Sequence, residues 1–180
     1  WISGDWSVLG GVMFDSFDPA THIVEPPAHA EFKLRLGGDW GSAAPAVCVL
    51  LGQLKSPVTG MAYGSIVALE ETDTAADAAN LSLGSGAPPQ MFADQIKEMC
   101  ARNGCKRPPS GRMDDARGLQ SETVIQLMGQ CGIAFAKPLK KDRVGQWNLI
   151  RQLLDNARTG AGPGLYFTAR CPHLIETLPE

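Results

Sequence analysis

At 180 residues, 44% hydrophobic and with a mean hydropathy of -0.08, the chain has the size and polarity of one globular domain; its apolar runs fall far short of the ~20 residues a membrane helix needs, and no export signal opens it. A net charge of -3 excludes a generally basic nucleic-acid binder, yet cations gather at Arg102, Lys106, Arg107, Arg112 and Arg117 and again at Lys137, Lys140, Lys141 and Arg143, which suits a basic face around an acidic centre or two solvated loops. The cysteines, Cys48, Cys100, Cys105, Cys131 and Cys171, form neither a CxxC pair nor a zinc-finger spacing and read as reduced thiols of an intracellular protein.

Residues 1–30 carry Trp1, Trp6, Phe14 and Phe17 among Gly, Asp and Pro, and are expected to form an irregular leader that packs through its aromatics, or the tail of a preceding domain. Strands are expected over about 31–39, 45–54 and 61–70, with a Pro/Gly hairpin connection at 55–60, so the domain opens as an antiparallel meander. Residues 72–90 are small and polar and read as a loop. A helix follows, with Phe92, Ile96, Met99 and Cys100 on one face and Asn103-Gly104 as its stop. Beyond it come a short strand at 111–114, a helix over about 119–131, a strand at 133–136 and a helix over 143–158 capped by Asp142. The last of these carries an apolar stripe of Val144, Trp147, Ile150, Leu154 and Ala157. A strand at 165–169 and a helix from Pro172 to Leu178 close the series. A meander followed by alternating helices and strands predicts an α/β mixed sheet with helices on both faces.

The stretch that carries chemistry is Gly37 to Pro45, where Asp39 ends the first strand among glycines. Such a position holds a carboxylate rigidly and leaves room for an ion or substrate; it also suits an Asp that caps its own turn. If the first strand lies beside a strand of the alternating half, Asp39 and Asp114 face each other. Converging carboxylates need a cation, because like charges raise one another's pKa. Two Mg²⁺ or Mn²⁺ ions about 4 Å apart activate water and stabilise a leaving oxygen in phosphodiester cleavage. Asp115 points away from its neighbour if the backbone is extended and reads better as a cap for the next helix. His22, His29 and His173 have no partner spacing and read as surface or internally satisfied residues, and neither a phosphate-binding GxxxxGK[ST] loop nor a G-x-S-x-G elbow occurs.

Several pieces of the sequence, taken in order, resemble the C-terminal nuclease domain of the large terminase subunit of tailed bacteriophages, a ribonuclease H-like domain. They are Gly4-Asp5-Trp6 with Met13-Phe14, Gly38-Asp39-Trp40-Gly41 with Pro45, the Gly111–Ala116 stretch, Lys137 through Gly145, Leu165-Tyr166-Phe167, Cys171, and Leu174 through Pro179. The resemblance implies a two-metal endonuclease that uses Mg²⁺ or Mn²⁺ to cut concatemeric double-stranded viral DNA during packaging. By the same resemblance, Asp39 and Asp114 are the catalytic metal carboxylates, Asp115 is a lesser candidate, and Lys140, Lys141 and Arg143 approach the DNA backbone. Residues 1–30 would then link to an ATPase domain of the same polypeptide. Residues 31–180 would be the nuclease domain, truncated before a third carboxylate that the family carries in a later acidic segment. The partners implied are the small terminase subunit and the portal or procapsid, in the host bacterial cytoplasm. A catalytically incomplete DNA-binding or docking module of the packaging motor is the alternative.

Overall fold

The alternation of Phe32, Leu34 and Leu36 with Lys33 and Arg35 does make a strand, β1 (Phe32–Asp39). It is seen in the computed structural model, which describes residues 14–27, 29–41, 43–77, 80–114, 122–139 and 142–178. β2 (Val47–Leu54) and β3 (Ile66–Asp73) follow it as the antiparallel meander expected. The third strand starts later than the sequence suggested. Residues 61–65 are taken up by the turn, in which Val58 and Met61 exchange backbone hydrogen bonds of 3.1 and 2.9 Å.

Residues 72–90, read from the sequence as a loop, instead contain a small hairpin, β4 (Ala75–Asp77) with β5 (Asn80–Gly84). Its composition has no alternation to signal a strand. The hairpin is held from outside, by Gly84 N–H donating to Ala43 O (2.8 Å) and Ala46 N–H donating to the buried Thr74 Oγ1 (2.8 Å).

The alternating half then comes in order: α2 (Pro89–Arg102), β6 (Gly111–Met113), α3 (Val124–Gln130), β7 (Phe135–Ala136), α4 (Arg143–Thr159), β8 (Leu165–Phe167) and α5 (Pro172–Thr177). α3 starts at a Thr123–Gln126 capping box; the residues ahead of it, where a helix from 119 was expected, lie outside the described set. Asp142 caps α4 through its carboxylate to Gly145 N–H (2.8 Å), and Gly160 ends that helix in the left-handed conformation at φ 70°.

The order of the main sheet is β7-β6-β1-β2-β3-β8. β6 pairs in parallel with β1, β7 with β6 and β8 with β3, so every strand of this sheet but β2 points the same way. Contact between β1 and β6 requires glycine: a Cβ on Gly111 would lie 2.3 Å from the Leu36 carbonyl oxygen. One face of the sheet is covered by α2 and α3, whose Phe92, Ile96, Met99, Val124 and Met128 pack on Leu36, Cys48, Leu50 and Met113. The opposite face carries a second core in which Leu154 of α4, Phe167 and Cys171 meet Ala68. A short helix of the leader, α1 (Pro19–His22), joins that core together with Phe14 and Phe17. Helices therefore cover both faces, as expected. The α4 stripe is buried only in its later part: Leu154 is fully enclosed, whereas Val144 is 64% exposed. All five cysteines are free thiols; burial pushes Cys100 and Cys171 up to about 12, and Cys48 higher still. No helix among the described residues is long and apolar enough to cross a membrane.

Candidate metal and nucleic-acid site

The carboxyl ends of the parallel strands all open on one edge of the sheet, where open α/β sheets bind ligands. Register decides which side chains share that edge. Asp39 lies opposite Val47 of β2, and Val47 opposite Asp73 of β3, so the three form one row across the meander. On the other flank Gly38 is paired with Met113, the last pair of the β1–β6 register, and Asp39 and Asp114 are the residues that follow it on the two strands' ends. Both carboxylates singled out in the sequence therefore stand at neighbouring strand ends.

Asp39 is exposed, and among the described residues its carboxylate makes no hydrogen bond or ion pair. It does not cap the turn that follows. That turn closes on backbone instead: a Cβ on Gly41 would meet the Ala44 carbonyl oxygen at 2.3 Å. Trp40 leans inward against Phe92, with ring centroids 6.0 Å apart, and anchors the strand end to the core. A rigid, unengaged carboxylate beside a second one is a hard-oxygen donor set that fits Mg²⁺ or Mn²⁺, which need only one or two carboxylates along with water and phosphate oxygens. Among the described residues, no group of three or more His, Cys, Asp and Glu side chains could hold a metal ion.

Asp115, Lys140 and Lys141 lie outside the described residues. Arg143 stands at the start of α4 and covers the Trp147 ring, its guanidinium 4.7 Å from the ring centre, beside a shallow cleft lined by Pro138 and Leu139. Arg102, counted in the first basic stretch, is committed elsewhere. With Asn103 and Arg170 it surrounds the nearly buried Glu70, at 2.7 Å for Arg102 and 2.9 Å for Arg170, and ties α2 to β3 and to the turn before α5.

Two acids that the sequence reading did not single out, and a histidine it read as a surface or internally satisfied residue, border the same edge. Glu71, the neighbour of Glu70 on the opposite face, accepts from the backbone N–H groups of His173 and Leu174 and so caps α5. Asp73 accepts from Ala75 N–H (2.7 Å) and lies 3.2 Å from His173 Nδ1. No spacing in the chain could signal this trio, since about a hundred residues separate its parts. His22, by contrast, is a satisfied core histidine, bonded to the Leu154 carbonyl at 3.0 Å.

Burial pushes the Glu71 carboxyl above its ordinary range, more than the two backbone donors and His173 pull it down. A carboxyl raised by folding contributes stability that is fully present below its unfolded pKa and is lost as pH rises through the folded one. The stability of the wild type relative to Glu71→Gln is therefore expected to fall with rising pH across that window, and urea titrations of both proteins from about pH 4 to about pH 8 would read it. A difference that is flat or rises with pH would contradict the burial argument.

No family model matches the sequence, and no curated protein is similar to it. Solved structures are. The large terminase of a thermophilic bacteriophage, in complex with ADP, superposes with a TM-score of 0.62 at 18% identity over 92% of this chain and 36% of that one. The nuclease domain of P22 large terminase superposes with a TM-score of 0.62 at 12% identity, over 93% of this chain and 77% of that one.

The chain has the fold of a large-terminase nuclease domain.

That fold is ribonuclease H-like, as the resemblance implied; the meander and the alternating half had predicted the mixed α/β sheet. In terminase terms the chain spans about a third of the thermophilic phage's protein and most of the P22 nuclease domain. The sheet places Asp39 at the carboxyl end of β1, whose parallel neighbour β6 ends at Met113, the residue before Asp114.

Proposed function

We propose that this chain is a metal-dependent endonuclease domain that cuts concatemeric double-stranded viral DNA during genome packaging. The observation that supports the reading is the unengaged Asp39 carboxylate at the end of β1, one residue past the Gly38–Met113 pair that Asp114 also follows, within a terminase nuclease fold. In this reading Asp39 and Asp114 hold Mg²⁺ or Mn²⁺, with Asp115 as a lesser candidate. The bound ions, two in a complete site, supply Lewis-acid polarisation of the phosphate and a water of lowered pKa.

The chain's own residues do the rest. Asp39 and Asp114 fix the ions on two hydrogen-bonded strands, so little reorganisation is needed when substrate arrives. Lys140, Lys141 and Arg143 meet the phosphate backbone and orient the duplex without reading bases. In the working motor the domain acts with an ATPase domain of the same polypeptide, the small terminase subunit and the procapsid, in the cytoplasm of the host bacterium.

A plasmid assay tests the proposal. With Mn²⁺, the chain or a polypeptide extended past Glu180 is expected to nick and linearise supercoiled DNA with little sequence preference, and EDTA is expected to stop it. Cleavage that survives EDTA, or none from the extended protein, would overturn the reading. One observation favours a second reading: the described residues contain no cluster of three metal-binding side chains. A docking module without catalysis would bind DNA in a salt-dependent way, indifferent to metal and to Asp39.

A further inference from the structure

Between the carboxyl ends of β1 and β3 and the start of α5 lies a notch of about 300 Å³ that has Asp39 at its rim. Its walls are mostly apolar, built from Pro45, Val47 and Leu174. The polar groups on its far side are largely satisfied within the protein. Both Glu71 oxygens accept from the α5 backbone, and the two Asp73 oxygens face Ala75 N–H and His173 Nδ1. With Nδ1 turned to Asp73 (3.2 Å) and Glu71 (3.8 Å), the His173 ring is fixed, and its Nε2 has no partner among the described residues. Three features are therefore left to a ligand: an apolar wall, one ring nitrogen able to accept a hydrogen bond, and an unengaged carboxylate at the mouth.

We propose that this notch is the subsite for the single nucleoside adjoining the phosphate to be cut. The proposal rests on the reading of Asp39 as a metal carboxylate. A deoxynucleoside has the matching chemistry. The carbon-rich face of its sugar and base suits Val47 and Leu174, a base N–H suits the lone pair left on His173 Nε2 by the Nδ1–Asp73 contact, and its inner phosphate reaches the ion at Asp39. The volume is at the small end of ligand pockets, enough for one nucleoside and too small for paired bases. The carboxylates deeper in the notch do not repel this ligand strongly, because backbone N–H groups and the imidazole already face them. A cut strand then contributes one nucleotide that leaves its pairing partner, and the fit of that nucleotide gives the nuclease a mild preference at the position next to the cut.

The test uses thymidine 3′,5′-bisphosphate with Mg²⁺ and the 180-residue chain, followed by nuclear magnetic resonance and calorimetry. The Val47 and Leu174 methyl signals and the His173 ring signals are expected to move on addition of the probe. His173→Ala is expected to weaken binding about fivefold, the loss of one neutral hydrogen bond, and Leu174→Trp to block it by filling the notch. The direct signal map stands even if a variant folds poorly. Probe signals confined to other surfaces, or unchanged affinity in a folded His173→Ala protein, would overturn the subsite. If Mg²⁺ binds at Asp39 while the notch stays silent, the subsite falls and the nuclease reading survives. If the probe enters the notch without need of Mg²⁺ or Asp39, the notch binds nucleotides apart from any metal, and the subsite as proposed falls together with the metal reading.

Discussion

Asp39→Ala is expected to lower Mn²⁺-dependent nicking by on the order of a hundredfold to a thousandfold, the range seen when one preorganised charge stabiliser is removed from a reacting centre. The fold should not suffer. Asp39 is exposed and bonded to nothing among the described residues, and substitutions at such positions change stability by about 0.5 kcal/mol or less. The pairing of lost cleavage with unchanged unfolding is what separates a metal carboxylate from a turn cap, since a lost cap would cost roughly 1 kcal/mol. Plasmid nicking and urea unfolding on the same preparation give both readings. Cleavage within a factor of about three of wild type would remove Asp39 from the site, and a loss of stability above about 1 kcal/mol would restore the cap.

The largest structural effect is expected at Phe92. Its ring is fully buried between α2 and the sheet and touches Trp40, the residue after Asp39. Phe92→Ala removes an aromatic ring from an interior that collapses only partly around the gap, at a cost of about 3–5 kcal/mol. Against a typical total of about 5–15 kcal/mol, that is a large fraction of the stability of a domain this size. The midpoint of urea unfolding should shift strongly downward, and the Trp40 emission should change in the folded state because its packing partner is gone. A loss under about 1 kcal/mol would mean that α2 is not the clamp on this face of the sheet. Phe92→Leu, which keeps much of the volume, should cost clearly less.

Elements whose burial is periodic were legible in the chain. Phe92, Ile96, Met99 and Cys100 read as one helix face and pack as one, and the alternation before Asp39 gave β1 nearly to the residue. What stayed hidden depends on contacts between distant segments. The β4–β5 hairpin is held by the turn at 43–46, so its own alanines and threonines give no sign of it. In α4 the stripe of Val144, Trp147 and Ile150 shows an apolar face, but periodicity cannot say how much of that face the body of the domain covers. Glu70 and Glu71 read as the polar end of a strand, yet each is drawn inward, on opposite faces, by donors from α2 and from the segment around α5. The same holds at the candidate site: strand-end logic pointed to Asp39 and Asp114, each of which follows or ends a strand, whereas His173 and Asp73 meet only because β8 pairs with β3.

The parallel pairings also set an order of assembly. Leu36 meets Gly111, 75 positions later, and Ile66 meets Leu165, 99 positions later. Closing such long loops precedes any gain from the contacts they bring, so these pairings are slow compared with the local β1–β2–β3 meander. A newly made chain that has formed only its meander possesses Asp39 but neither Asp114 beside it nor His173 near Asp73. The sheet edge that carries the candidate site is therefore completed only in the last steps of folding, so a half-folded chain would lack the arrangement that the proposed cleavage needs.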